Sequence, residues 1–366
     1  MSLNTSSQLK IDQYPDDIEA RCFCDDFING SSPKFILGTN EYAASVANKV
    51  DVNGFIDEFT NKKEFLNKPI IKNLCSLPNQ GIVLSAVVLA KPQYVLKKLC
   101  DLGIRHLDYF RFKKYSGLNI EQVQCHFCDD FPIDFDSHRT NYEKVYDLLE
   151  DVESKQVMSK IINFRLSCNL KYMQVFTYAP DKQYFEPFLD LKPINEVFID
   201  VGGFDGFSSL EFIKRCPNYD AIHIFEPEPQ NMKSIKKCLQ NIPRIFYYDF
   251  GLSNQSQILR FNAQDSASSI SKDGNIEIKV ERLDNVIHSP FSYLKMDIEG
   301  GELFAIEGAT QSIIDYAPRI AVSVYHLVDD LWRIPEKILS IRHGYNLYLR
   351  HYTEGVTETV MYFVPK

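Results

Sequence analysis

The second half of the chain alternates short apolar runs with stretches of helical spacing, and no other feature of the sequence restricts its fold as strongly. The apolar runs, which we predict to be strands, are Glu196 to Val201, Ala221 to Phe225, Ile245 to Phe250, Phe291 to Met296 and Ile320 to Tyr325. Helical spacing follows the first two runs, at 208–215 and 229–239, and residues 357–364 alternate like one arm of a hairpin. Strands that alternate with helices form parallel sheets with crossover connections, so we predict a doubly wound, Rossmann-like α/β sheet.

A smaller pattern of the same kind precedes this one. Its predicted strands are 34–38, 52–56 and 81–89, and its predicted helices are 42–48 and 92–102. Between the two patterns the sequence has helical stretches, clearest from Tyr142 to Leu166. We therefore divide the chain into a Rossmann-like α/β domain at 1–115, a mainly helical connector at 116–190 and a larger α/β domain at 191–366.

The composition favours a globular protein that acts on a small molecule. Apolar residues make up 45% of the 366 residues and charged residues 24%, which provides a core without the signature of disorder. The net charge of −9, with no dominant basic stretch, disfavours a nucleic acid partner. Residues 1–14 lack the apolar segment of a secretion signal, and the longest apolar run, 82–90, is too short for a membrane span. We expect a cytoplasmic protein, and a homo-oligomer is left open.

Nine cysteines, an odd number, are scattered along the chain and indicate reduced thiols rather than a disulfide framework. Two short pairs, Cys22 with Cys24 and Cys125 with Cys128, could supply zinc ligands together with His126. Because the pairs are so far apart in sequence, we interpret them as small buried side chains. No metal is predicted.

The first strand of the larger domain ends in a glycine-rich turn, Asp200-Val-Gly-Gly-Phe-Asp-Gly206. Gly202 and Gly206 let the backbone pass close to a ligand, and Asp200 and Asp205 flank the turn with negative charge. A pyrophosphate prefers a helix N-terminus without neighbouring carboxylates. The turn therefore favours a cationic ligand such as the methionine moiety of S-adenosylmethionine, while a tight strand–helix junction alone would also explain its glycines.

The second strand ends in Phe225-Glu226-Pro-Glu-Pro229. A carboxylate about 20 residues beyond a glycine turn is well placed to accept hydrogen bonds from ribose hydroxyls. Taken alone, Glu226 could equally be an acid stabilised by a helix dipole. In combination with the glycine turn on the neighbouring strand, it predicts a nucleoside-type ligand.

Charged residues also follow the fourth and fifth strands. Alternation places Lys295, Asp297 and Glu299 on one side if the strand continues that far, and His326 follows the next strand. Charges at the exit of a buried strand are costly unless they meet a substrate or an ion. A divalent metal at Asp297, Glu299 and Glu302 is an alternative, which the positive charge of Lys295 disfavours.

Several of these stretches together resemble the FkbM family of methyltransferases. The matching stretches are Phe198 to Gly203, Phe225 to Pro229, Gly251 to Ser253, Leu283-Asp284, Leu294 to Glu302 and Val324 to His326 with Asp329 to Trp332. The resemblance covers nearly half of the chain, and its K-x-D-x-E-G-x-E signature is quite specific. Where family members often have Ala-Asn, this chain has Gly203-Phe204-Asp205, a departure that we expect to alter only the packing of the turn.

The resemblance implies a Rossmann-like sheet that binds S-adenosylmethionine and an enzyme that methylates hydroxyls of sugars or secondary metabolites. It implies that Asp200, Gly202 and Gly206 hold the methionine end and Glu226 the ribose. Gly251 and Leu252 would lie along the adenine. The acceptor would be a small molecule or a glycan, with a nucleotide sugar as one form, which places the chain in polysaccharide biosynthesis.

Our mechanistic hypothesis is that His326 accepts the proton of the acceptor hydroxyl while Asp297 orients it, since a histidine titrates near neutral pH. A structural histidine is the alternative for His326. Two other functions stay open: a nucleotide-sugar enzyme that binds NAD at the degenerate turn after Gly38, and a non-catalytic nucleoside-binding scaffold in glycan assembly.

Overall fold

The structure is a computed structural model that describes residues 8–89, 91–123, 130–262, 269–270 and 276–366. Its strands are β1 Lys34–Leu37, β2 Gly54–Ile56, β3 Glu64–Phe65, β4 Lys68–Ile71, β5 Ile82–Ser85, β6 His106–Asp108, β7 Val197–Val201, β8 Ala221–Phe225, β9 Ile245–Tyr248, β10 Gly251–Leu252, β11 Gln257–Asn262, β12 Ser269–Ile270, β13 Ile276–Glu281, β14 Tyr293–Met296, β15 Arg319–Ser323, β16 Tyr345–His351 and β17 Thr359–Pro365. Its helices are α1 Ile18–Asn29, α2 Glu41–Ala47, α3 Pro92–Asp101, α4 Tyr109–Ser116, α5 Phe131–Leu148, α6 Val152–Ser167, α7 Phe207–Arg215, α8 Pro229–Cys238, α9 Leu283–Val286, α10 Glu302–Gly308, α11 Thr310–Tyr316 and α12 Asp330–Ile341.

The N-terminal sheet has the strand order β3-β4-β2-β1-β5-β6, in which β3 and β4 are antiparallel and all other pairs are parallel. The predicted Rossmann-like arrangement is confirmed. The β3–β4 hairpin was not predicted: Leu66 and Asn67 form its two-residue turn with φ of 49° and 59°. Hairpin turns of this kind usually contain glycine, which is absent here, so the sequence gives no turn signal.

The larger sheet has the order β16-β17-β15-β14-β7-β8-β9, and β17 runs antiparallel to both of its neighbours. All five predicted strands of this domain are present, and the alternating segment 357–364 forms β17. The register places Lys295 of β14 directly opposite Asp200 of β7. This pairing of two charged residues inside a parallel sheet brings together two of the predicted site residues.

A third sheet, with the order β10-β13-β11-β12, was not predicted. Its strands are either two residues long or mix polar and apolar residues, so they lack the continuous apolar runs that mark the parallel strands. Gly251 and Leu252 form β10, which pairs in parallel with β13. The predicted strand 245–250 accordingly ends early, at Tyr248.

The connector consists mainly of α5 and α6, which break the predicted helical stretch 142–166 at Leu149. The side chain of Asp151 starts α6 by accepting a hydrogen bond from the Ser154 amide at 2.7 Å. Helix α6 packs on β16 and α5 packs on α12, and one buried cluster links side chains of both parallel sheets. Over the described residues, no helix is both long enough and apolar enough to span a membrane.

Candidate functional site

The carboxyl edge of the larger sheet carries most of the predicted site. Asp200 lies in β7, while Glu226, Asp297 and His326 lie just beyond the ends of β8, β14 and β15. Ligands of doubly wound sheets bind at this edge. Two concavities of about 550 and 470 Å³ lie instead near strand starts such as Ile82 and Val197, so we place no chemistry in them.

The glycines of the turn are required by close packing against the neighbouring strand. Gly202 has a φ of +81°, and a Cβ atom there would lie 1.9 Å from the carbonyl oxygen of Asp297. A Cβ on Gly203 would lie 2.5 Å from the Ile224 side chain. Gly206, with a φ of +86°, begins α7. The turn is therefore held directly against the exit of β14, which carries the acidic residues.

Asp200 and Lys295 form an ion pair beneath the turn. The distance from Lys295 Nζ to Asp200 Oδ1 is 3.2 Å, and the two side chains are 3% and 0% exposed. Asp200 Oδ2 accepts hydrogen bonds from Ser208 Oγ and Ser209 Oγ at 2.6 and 2.7 Å, and Lys295 donates to the Gly202 carbonyl at 2.5 Å. The ion pair thus holds the turn and the start of α7 in place. The predicted direct binding of a ligand by Asp200 stays a prediction.

Glu226 supports the turn from the next strand. Its Oε2 accepts a hydrogen bond from the Phe204 amide and its Oε1 one from the Glu228 amide, both at 3.0 Å. Burial raises the pKa of Glu226 and outweighs these hydrogen bonds. Each carboxylate oxygen can accept two hydrogen bonds, so both oxygens retain capacity for ligand hydroxyls.

The other predicted cofactor residues have simpler surroundings. Asp205 is exposed, and its Oδ1 accepts from the Phe207 amide at 2.9 Å. Gly251 and Leu252 are buried, and a Cβ atom on Gly251 would come within 3.3 Å of the Val280 side chain. A role of Gly251 and Leu252 beside an adenine stays a prediction.

His326 lies at the centre of a cluster of carboxylates. Its Nδ1 is 2.9 Å from Glu302 Oε1, and its Nε2 is 3.4 Å from Asp297 Oδ1 and 3.5 Å from Glu299 Oε2. The His326 and Glu302 side chains are 5% and 1% exposed, whereas Asp297 and Glu299 are 23% and 40% exposed. The cluster therefore has a closed side at Glu302 and an open side at Asp297 and Glu299.

The arrangement of charges perturbs the pKa values of this cluster. Burial alone would lower the pKa of His326, but the charge of Glu302, with smaller contributions from Asp297 and Glu299, raises it to about 10. Burial raises the pKa of Glu299 to about 7. The predicted role of His326 as a proton acceptor needs a neutral imidazole, which a pKa of about 10 does not provide at neutral pH.

The predicted alternation of Lys295, Asp297 and Glu299 does not continue, because β14 ends at Met296. Lys295 faces the interior beside Asp200, and Glu299 adopts a left-handed conformation with a φ of 56°. The left-handed bend directs Glu299 toward His326, so two of the three residues reach the cluster. Sequence alternation applies only to extended backbone and could not predict this bend.

Three polar residues that the sequence prediction missed hold Asp297 in place. The Tyr184 hydroxyl donates to Asp297 Oδ2 at 2.7 Å and contacts Ser323 Oγ at 3.2 Å, and Gln183 donates to the Tyr184 hydroxyl at 2.9 Å. Burial opposes ionisation of Asp297, but the charges of His326 and Lys295 and the Tyr184 hydrogen bond outweigh it and lower its pKa. Tyr184 lies in the segment that the sequence assigns to the connector, which no local pattern links to Asp297.

The NAD and zinc sites that the sequence left as alternatives involve residues of the N-terminal domain. Asp57, beyond β2, accepts hydrogen bonds from Thr39 Oγ1 at 2.6 Å and from the Phe59 and Thr60 amides at 2.9 and 3.0 Å. For the zinc alternative, Cys24 is buried and Cys22 is exposed, whereas Cys125, His126 and Cys128 lie outside the described residues.

Residues 200–347 match the family model described as the methyltransferase FkbM domain. The resemblance predicted from the sequence is confirmed for this segment, which starts at Asp200 and ends within β16. No curated protein matches the chain.

Among the solved structures that this chain is similar to, one shares the fold over almost its whole length. Methyltransferase FkbM from Methylobacillus flagellatus KT aligns over 96% of this chain and 94% of its own, with 24% identity and a TM-score of 0.74. An rRNA methylase from Streptococcus thermophilus covers 49% of this chain and 90% of its own, with 12% identity and a TM-score of 0.34. Fibrillarin from Aeropyrum pernix, solved with S-adenosyl-L-methionine, covers 48% and 69%, with 10% identity and a TM-score of 0.31. The likeness to the Methylobacillus protein extends over both parallel sheets.

Proposed function

We propose that the chain is an S-adenosylmethionine-dependent methyltransferase that transfers a methyl group to a hydroxyl of a sugar or glycan. The observation that carries this proposal is the match of residues 200–347 to the FkbM methyltransferase domain, because the matched segment contains every strand exit that bears the predicted site residues. The function is argued from these residues, since the fold alone is compatible with many activities.

The residues at the first two strand exits fit the cofactor. The turn from Gly202 to Gly206 brings backbone to the edge of the sheet without side chains at the two left-handed glycines. Glu226 borders the turn and keeps acceptor capacity for two ribose hydroxyls. In the proposed complex the turn holds the methionine end, Glu226 holds the ribose, and Gly251 and Leu252 border the adenine.

When bound, S-adenosylmethionine supplies a methyl group that its sulfonium has already activated. The chain then has to orient the acceptor hydroxyl in line with that methyl group and remove its proton. We assign the acceptor side to the open face of the His326 cluster, where Asp297 and Glu299 are partly exposed. Tyr184 fixes Asp297 for this task, and Lys295 supports the turn from below.

A sugar hydroxyl is the acceptor that we favour. The carboxylates of Asp297 and Glu299 at the open face are suitable hydrogen-bond acceptors for hydroxyl groups. The net charge of −9 disfavours a polyanionic nucleic acid as acceptor. A nucleotide sugar or a growing glycan would both present such a hydroxyl.

Calorimetric titration with S-adenosylmethionine and S-adenosylhomocysteine, with NAD as comparison, tests the cofactor assignment. We expect both adenosyl ligands to bind, NAD not to bind, and Glu226→Gln to weaken adenosyl binding about tenfold or more, since a lost ligand hydrogen bond to a charged group is worth roughly 1.5–3 kcal/mol. Glu228→Gln is the matched control, because the Glu228 side chain accepts from the Gln230 and Asn231 amides at the start of α8. Binding of NAD alone would refute the proposal.

A further inference from the structure

We propose that Asp297, Glu302 and His326 form a binding site for one divalent transition-metal ion. The three residues come from three different elements: Asp297 follows β14, Glu302 begins α10 and His326 follows β15. One ligand atom from each residue lies within 4.8 Å of the other two. Ligand atoms that lie about 2.0–2.2 Å from one ion are at most about 4.4 Å apart, so side-chain shifts of a few tenths of an ångström would let the three residues bind a single ion.

Unsatisfied buried atoms point to a missing partner in this cluster. Glu302 Oε2 is buried and has no hydrogen-bond partner, whereas Glu302 Oε1 accepts from the Ile298 amide at 2.8 Å. Both ring nitrogens of His326 are also buried, and although they lie 2.9–3.5 Å from carboxylate oxygens, none of these contacts has hydrogen-bond geometry. Leaving such groups without partners is costly, and one ion could be coordinated by Glu302 Oε2 and by one of the two ring nitrogens of His326.

The mixture of ligands defines the class of ion. Imidazole nitrogen together with carboxylate oxygen suits Mn²⁺, Fe²⁺, Co²⁺ or Zn²⁺, while Mg²⁺ and Ca²⁺ prefer oxygen ligands throughout. Asp297 is 23% exposed, so the ion would keep open positions toward the acceptor side. A metal in that place can act as a Lewis acid on a hydroxyl group.

Lys295 does not oppose this site. Its ammonium is 3% exposed, pairs with Asp200 and donates to the carbonyls of Val201 and Gly202. Its direct partners therefore lie on the side of the glycine turn, and its remaining effect on the site is to help keep Asp297 ionised. Glu299, whose Oε2 is 3.5 Å from His326 Nε2, instead adds negative charge next to the three ligands.

The test is a titration of the EDTA-treated full-length protein with Mn²⁺, in which electron paramagnetic resonance measures the free ion. We expect one Mn²⁺ to bind per chain and a pulsed resonance spectrum to show coupling to a nitrogen nucleus of His326. Glu302→Gln and His326→Gln should weaken binding more than about tenfold, since even outer-shell partners of metals typically contribute 10–100-fold. Nitrogen coupling should disappear in His326→Gln.

Glu307→Gln is the matched control, because Glu307 lies on the same helix as Glu302 but pairs with Lys337 at 2.8 Å. Thermal unfolding without metal checks that each variant is folded. If Glu302→Gln is not folded, Asp297→Asn is tested in its place. The absence of saturable Mn²⁺ binding in the wild-type protein would overturn the proposal, as would binding that is equal in all variants. No adenosyl ligand is present in this titration, so its outcome is independent of the calorimetric test of the cofactor.

Discussion

The two parallel sheets of this protein share a strand order but differ at their carboxyl edges. In the first sheet, β1 has β2 and then β4 on one side and β5 and then β6 on the other. In the second sheet, β7 has β8 and then β9 on one side and β14 and then β15 on the other, so the two sets of five strands have the same order. Both should therefore offer a ligand site at the same place. The residues at the two edges differ in how much capacity they keep for a ligand.

The acids after the second strand of each sheet show the difference most clearly. Asp57 accepts two hydrogen bonds from amides of its own loop and one from the Thr39 hydroxyl, and these outweigh burial and lower its pKa. Glu226 accepts two, and burial raises its pKa. Asp57 is thus occupied in shaping a loop, while Glu226 is a buried acid with unused capacity, as is typical of functional sites.

The exits of the last parallel strands differ in the same way. Asp108 ends β6, starts α4 by accepting from the Arg111 amide at 3.0 Å, and forms an ion pair with the Arg111 side chain at 2.6 Å. His326, beyond β15, contacts three carboxylates without a hydrogen bond. Equal topology therefore does not imply equal function, because Asp57 and Asp108 are engaged by neighbouring groups of their own domain, whereas Glu226 and His326 retain capacity for a ligand.

Replacement of His326 should produce the largest difference between the two edges. We expect His326→Ala to lower the turnover of methyl transfer about 10²-fold, because it removes the cation that keeps Asp297 ionised and in position on the acceptor side. Affinity for S-adenosylhomocysteine, which the turn and Glu226 determine, should change little. Asp108→Asn, at the corresponding exit of the first sheet, is the control and should leave turnover unchanged. Unchanged turnover in His326→Ala would remove the catalytic role.

Alanine substitution of Gly38 and Gly202, which follow the first strands of the two sheets, compares the two turns. Gly202→Ala places a Cβ atom 1.9 Å from a carbonyl oxygen, whereas Gly38→Ala meets nothing closer than 3.5 Å. Both residues have positive φ, which costs an alanine about 1–3 kcal/mol. We expect Gly202→Ala to lose more thermal stability than Gly38→Ala and to lose adenosyl binding as well. Equal losses of stability, measured by thermal unfolding, would show that the turn of β7 can shift away from Asp297.

Acid should weaken the second sheet before the first. His351 of β16 is buried, and burial lowers its pKa to about 3, while its Nδ1 contacts Thr359 Oγ1 at 2.8 Å. The ordinary value in an unfolded chain is about 6.5, so the unfolded state binds the extra proton and stability is lost as the pH falls from about 6.5 toward 3. At pH 5 this amounts to about 2 kcal/mol. Hydrogen exchange should show β16 and β17 losing protection between pH 7 and pH 5 by more than β1 and β5 do.

The sequence was sufficient for those parts of the molecule that local patterns encode. The buried parallel strands are continuous apolar runs, so their existence, and hence the exits at Asp200, Glu226, Asp297 and His326, could be predicted. The partners of these residues could not, because Tyr184 meets Asp297 across 113 positions of sequence. The bend at Glu299 and the sheet that contains β10 were also missed, since the first depends on a left-handed residue and the second on short strands of mixed polarity.

The smallest expected effect comes from neutralising the two acids that follow the second strands. Asp57→Asn should lower the free energy of unfolding by about 1 kcal/mol, because the lost charge weakens hydrogen bonds to the Thr39 hydroxyl and two amides, and it should leave adenosyl binding unchanged. Glu226→Gln loses one of two amide hydrogen bonds but also removes a carboxylate whose ionisation burial disfavours, so the ligand-free protein should lose less stability at pH 8 than Asp57→Asn does, while adenosyl binding falls. Thermal unfolding and calorimetry on the same two variants measure both quantities. If Glu226→Gln destabilised the ligand-free protein as much as Asp57→Asn does, Glu226 would be a loop-shaping acid like Asp57, and the contrast between the two edges would rest on the His326 cluster alone.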